Sequence, residues 1–184
     1  MTALPDGRLA SGGLDKMIRI WNLQTRDVEV LDAHTKCVNS ITSADNDIIV
    51  SSGNDGSVCV WNLSTGQIWI IDIEHDGWSN DYMRVNSIHL LEDNRLALAT
   101  STALVAIYDL RNTRKTVCYG HNQIVGTLAA LADGCLVSGS YDKTVRVWNV
   151  KTGANYVLRG HSDIVCGVTS TLDGLIVISS WDKT

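Results

Sequence analysis

The sequence predicts an all-β chain built from one repeated unit, a four-stranded antiparallel sheet of about 40 residues. Three observations predict it. A motif returns at a nearly fixed interval, apolar and polar residues alternate with period two inside it, and no stretch keeps the helical period. The motif occurs in five windows: LASGGLDKMIRIWN from Leu9, IVSSGNDGSVCVWN from Ile49, LALATSTALVAIYD from Leu96, LVSGSYDKTVRVWN from Leu136 and IVISSWDKT from Ile176. Their offsets are 40, 47, 40 and 40 residues. A histidine precedes four of them: His34, His121 and His161 by 15 residues, and His75 by 21.

Each window reads as two strands joined by a turn. Val145 and Val147 alternate with Thr144 and Arg146, the pattern of a half-buried strand, while Ser, Gly, Asn and Asp collect between the strands as tight turns require. A further strand follows each histidine, at Val38–Thr42, Val85–Leu90, Ile124–Leu131 and Val165–Ser170. Another precedes the next histidine, at Val28–Leu31, Gln67–Ile73, Thr116–Tyr119 and Tyr156–Leu158. The five repeats divide the chain at about 1–32, 33–73, 74–119, 120–159 and 160–184, read together as one domain over 1–184.

Composition narrows the function. At 184 residues and 45% apolar content the chain can bury a core, and its 19% charged residues fall below the usual ~25%. A net charge of −5 without a basic stripe argues against an electrostatic nucleic-acid binder, so no nucleic-acid partner is expected. Arg111, Arg114 and Lys115 form the one dense basic cluster and read as a solvated loop. No apolar run approaches the ~18 residues of a membrane helix, and the N-terminus lacks a signal-peptide layout, so no membrane association is expected. The cysteines are Cys37, Cys59, Cys118, Cys135 and Cys166, odd in number and without C-x-x-C spacing. They read as packed, reduced thiols in a cytoplasmic or nuclear protein, not as a disulfide framework or zinc site. With no P-loop, G-x-G-x-x-G or EF-hand spacing, no cofactor or metal is expected.

The phased residues resemble WD40 repeats, which build β-propellers. Gly120-His121 and Gly160-His161 match the family's Gly-His pair, with Ala33-His34 and Glu74-His75 looser. Trp21-Asn22, Trp61-Asn62 and Trp148-Asn149 match its Trp-Asp position with Asn, and Tyr108-Asp109 matches it with Tyr. The resemblance implies a WD40-type propeller of four-stranded antiparallel blades, with about 4.5 blades in this chain and the ring incomplete. It further implies a hydrogen-bonded tetrad within a blade: His34, Ser51, Asp55 and Trp61 in the second, and His121, Ser138, Asp142 and Trp148 in the fourth. The first blade has Ser11, Asp15 and Trp21. The third has Leu98, Thr102 and Tyr108 and should be the least regular, while the fifth keeps His161 and Asp182 but has Ile178 in place of Ser. A segment of a longer propeller is the leading expectation. Association of chains through unpaired blade edges is the alternative.

Ser, His and Asp in one set also suggest a hydrolase. The set recurs at the repeat period, and no G-x-S-x-G elbow is present, so the residues read as structural and the chain as non-catalytic. The resemblance implies a scaffold that presents its loops to peptide or protein partners. The residues before the turn Asp, namely Leu14, Asn54, Tyr141 and Trp181, are the first candidate contacts. Trp78 and Tyr82, in the longer segment after His75, are the second, unless they fold back to replace the missing tetrad. Arg111 in Ile107-Tyr108-Asp109-Leu110-Arg111 resembles the WDXR box of substrate receptors for cullin-type ubiquitin ligases, and gives the alternative function.

Overall fold

In the computed structural model the described residues are 1–32, 34–72, 83–91, 94–111, 114–171 and 173–184. Among them there is no helix, and every strand pairing is antiparallel. The first sheet runs in the order β1 (Thr2–Ala3), β2 (Leu9–Gly12), β3 (Ile18–Trp21), β4 (Val28–Leu31). The second follows as β5 (Val38–Ser43), β6 (Ile48–Gly53), β7 (Ser57–Asn62), β8 (Gln67–Asp72). The third contains β9 (Val85–Leu90), β10 (Arg95–Thr100), β11 (Val105–Asp109) and β12 (Lys115–Cys118). The fourth contains β13 (Val125–Ala130), β14 (Leu136–Ser140), β15 (Val145–Trp148) and β16 (Asn155–Leu158). A two-stranded sheet, β17 (Val165–Ser170) and β18 (Ile176–Ser180), completes the set. This is the expected all-β arrangement of four-stranded units, with strand ends within a residue or two of those read from the alternation.

The chain forms two compact units, Met1–Val85 and Asn86–Thr184. In the first, Ala10, Ile18 and Ile20 of one sheet bury against Ile41, Ile49, Cys59 and Trp61 of the next. Gly12 is required where the two sheets approach, because a Cβ there would collide with Val38. In the second unit Ala97, Ala99, Val105 and Ile107 pack with Leu128, Leu136 and Trp148. A second cluster joins Val137, Val145 and Val147 to Val165. In the third sheet β10 meets β11 without a break from Arg95↔Asp109 to Ala99↔Val105. Register shifts fall in the first strands of the second, fourth and fifth sheets, between Val38 and Ser40, Val125 and Thr127, and Val165 and Gly167. These bulges let the strand bend at the end that carries the turns.

Candidate functional site

The polar residues singled out above converge at one corner of the second and fourth sheets. In the fourth sheet β14 supplies Ser138, the β14–β15 turn supplies Asp142, β15 supplies Trp148, and the segment before β13 supplies His121. His121 Nδ1 lies 2.8 Å from Asp142 Oδ2, and its Nε2 lies 2.8 Å from Ser138 Oγ. The Trp148 indole N–H donates to the same Ser138 Oγ at 2.7 Å. A carboxylate only accepts and an indole only donates, which fixes the rest of the chain. His121 carries its proton on Nδ1 and donates it to Asp142. Ser138 accepts from Trp148 and donates to the His121 Nε2 lone pair.

The second sheet repeats the geometry. His34 Nδ1 is 3.1 Å from Asp55 Oδ2, His34 Nε2 is 2.8 Å from Ser51 Oγ, and Trp61 Nε1 is 2.8 Å from Ser51 Oγ. Ser51 and Ser138 are fully buried.

Electrostatics agree with this wiring. Burial pushes the Asp142 carboxyl up, but hydrogen bonds from Thr144 and His121 outweigh it and hold the group below the ordinary carboxylate range. Asp55 is likewise held low against burial by Ser57 and the Thr35 N–H. Burial lowers His121 despite the neighbouring carboxylate, so its imidazole is neutral.

One member of each corner was not read from the sequence. The hydroxyl two residues after the aspartate donates to that carboxylate: Ser57 to Asp55 at 2.8 Å, Thr144 to Asp142 at 2.6 Å, and Thr184 to Asp182 at 2.6 Å. The signal was present as a Ser or Thr at a constant offset in three repeats. The aspartate also accepts the N–H of the residue after the histidine, Thr35, Asn122 or Ser162. It thereby ties the turn that holds it to the incoming chain.

The other corners hold subsets. Trp21 Nε1 donates to Ser11 Oγ at 2.8 Å, while Asp15 pairs with Arg19 at 2.7 Å. His161 Nδ1 lies 2.9 Å from Asp182 Oδ2. In the third sheet Leu98 is fully buried where a serine stands elsewhere, and the turn is closed by Thr100 Oγ1, 2.9 Å from Thr102 Oγ1 and 3.0 Å from Leu104 O.

The residues before the turn aspartates face outward to different degrees. Trp181 is 62% exposed and Leu14 85%, whereas Tyr141 and Asn54 are half-buried. Tyr141 packs over Gly126, and Asn54 Oδ1 accepts from Asn39 Nδ2 at 2.8 Å. Arg111 is exposed and turned back on Asp109 Oδ1 at 3.2 Å. Trp78 and Tyr82 lie outside the described residues.

Among the described residues a cavity of about 640 Å³ lies among the hairpin loops of the second unit and another of about 190 Å³ lies in the first. Neither is lined by a serine, histidine or aspartate of the corners. Among the described residues no cluster of His, Cys, Asp and Glu could hold a metal ion, and no helix is long and apolar enough to cross a membrane.

Residues 7–183 match the family described as nucleolar protein 10-like, N-terminal domain, a β-propeller domain. The chain belongs to this family. Among solved structures it is similar to the WD40 β-propeller domain of Doa1, with a TM-score of 0.83 and 22% identity over 98% of this chain. It spans 60% of that chain. At this identity the likeness carries the fold alone, and 1254 matching chains mark that fold as widely shared. The repeats are therefore of WD40 type. No curated protein matches the sequence.

Proposed function

We propose that the chain is a non-catalytic propeller platform that docks a peptide or protein partner on the turn residues before its corner aspartates. The observation that carries this reading is Trp181, a largely exposed indole on a turn held at several points. The Trp181 backbone N–H donates to Ile164 O at 3.0 Å, and the adjacent Asp182 is bound to His161, Ser162 N and Thr184. A rigidly mounted aromatic loses little freedom on binding, which is why such residues dominate interface energies. Tyr141 in the same unit, and Leu14 and Asn54 in the other, occupy the equivalent turn position.

The hydrolase alternative is disfavoured by the same wiring. Asp142, His121 and Ser138 are linked in the order of an acyl-transfer triad, yet Ser138 is buried and its remaining lone-pair direction is occupied by Trp148. A nucleophile needs a substrate carbon about 3 Å away, whereas Ser138 is fully buried and neither of the two cavities reaches it. The pairing of Arg111 with Asp109 gives no support to a ligase-adaptor contact over a local turn bond. The family description names a nucleolar protein, so of the cytoplasmic and nuclear locations we favour the nuclear one.

The test is quantitative affinity capture with the full-length gene product, comparing wild type with Trp181→Ala and Tyr141→Ala at matched thermal stability. Loss of a defined set of partners is expected from the variants. Unchanged partner sets in both would overturn the reading. Fluorescence of the tagged full-length protein checks the compartment, and exclusion from the nucleus would contradict that part.

A further inference from the structure

The outermost strands of the sheets are not equally protected. Sheet edges are ordinarily blunted by shortness or charge. β4 is four residues long and carries Glu29, β12 is four long and opens with Lys115, and β16 is four long. β8 is six residues long and runs Gln-Ile-Trp-Ile-Ile without a charge before Asp72. Ile68, Trp69 and Ile70 are 40%, 50% and 62% exposed.

The groove of about 190 Å³ beside this edge is lined by Leu31, Leu63, Trp61 and Ile68, with Glu29 and Asp32 at its β4 side. Cross-strand pairing fixes which side chains lie on the same face of the sheet as this groove, Ile70 beyond its lining included. Trp61↔Ile68 and Cys59↔Ile70 put both isoleucines on the face that bears the core, and Ile20↔Glu29 and Ile18↔Leu31 do the same on β4. Among the described residues, none that lines the groove is basic and neither acid is in an ion pair.

We infer that the outer edge of β8, which pairs with no further strand among the described residues, is a docking site for an extended segment of a partner protein, apolar at alternate positions and with lysine or arginine at the end that meets Glu29 and Asp32. The segment pairs its backbone with β8 as an added strand, lays its apolar side chains against Ile68 and Ile70, and neutralises the two carboxylates. A second copy of this chain fits less well, because its own β8 has no basic residue to offer. The site uses none of Trp181, Tyr141, Leu14 or Asn54, so it stands or falls apart from the function proposed above.

The probe is a dye-labelled, end-blocked peptide of two lysines followed by alternating threonine and valine, titrated by fluorescence anisotropy. Saturable binding is expected, weakened at least about tenfold by Ile70→Lys. The Glu29→Lys/Asp32→Lys protein should prefer the same peptide with two glutamates in place of the lysines. A peptide methylated on alternate backbone nitrogens, which cannot pair as a strand, should not bind, and this control holds even where Ile70→Lys fails to fold. Trp181→Ala should bind normally. The absence of saturable binding, equal binding of the methylated peptide, or indifference to charge reversal would overturn the proposal. So would a dimer of the chain, seen by sedimentation, that Ile70→Lys dissolves.

Discussion

The third and fourth sheets solve the same corner in opposite ways. In the fourth, a buried serine, a neutral histidine, an ionised aspartate and an indole satisfy one another. In the third, the matching positions hold Leu98, Thr102 and Tyr108, the serine's place is taken by a fully buried leucine, and two threonine hydroxyls close the turn. Both sheets keep four strands. A sheet of this kind therefore tolerates a complete polar network or a largely apolar replacement. A half-finished network is what costs stability, because a buried donor or acceptor left alone loses its water without gaining a partner.

The comparison is broken most severely by placing one sheet's residue in the other. Leu98→Ser should destabilise the protein by about 4 kcal/mol in urea unfolding, since it leaves a cavity and buries a hydroxyl at a corner that has Tyr108 in place of the indole. Asp142→Ala should cost about 3 kcal/mol, because His121, Thr144 and the Asn122 N–H all lose their acceptor, whereas Thr102→Ala should cost about 1 or less. Ser138→Ala should fall between, at about 2 kcal/mol, with His121 Nε2 and the Trp148 N–H both stranded.

Acid should sharpen the contrast in two stages. Burial holds His89 and His121 below the ordinary value of 6.5. The unfolded chain then takes up those protons first, so stability is complete above about pH 6.5 and declines as the pH falls below it. Asp55 and Asp142 are held below 3.8, so a second loss begins as the pH falls under that value. Urea midpoints across this range should show both stages. His89→Gln should flatten the first and Asp142→Asn the second. The smallest effect is expected at Arg111→Ala, within about 0.5 kcal/mol, because its exposed pair with Asp109 is screened by water.

Much of this was legible in the sequence, for identifiable reasons. The repeat interval located the strands because each unit must bury the same face against the next, and alternation such as that of Val145 and Val147 set which side chains turn inward. Other features were not legible. Ser57 and Thr144 look like ordinary turn residues until the backbone brings their hydroxyls onto the aspartate. The four strands of the third sheet were legible although its motif is degraded, because strand pairing depends on backbone and apolar packing, which Leu96, Leu98, Val105 and Ile107 supply without the motif. The exposure of β8 was not legible either: Gln67–Ile73 reads only as one more apolar strand, and it is the sheet order that places Ile68, Trp69 and Ile70 on the rim.

The account rests on the corner residues holding one another in place, and a double-mutant cycle in urea over His121 and Asp142 measures that directly. With His121→Ala, Asp142→Ala and the double variant, a favourable coupling of about 1–3 kcal/mol is the expected result. Coupling indistinguishable from zero, with both single variants as stable as wild type, would contradict it.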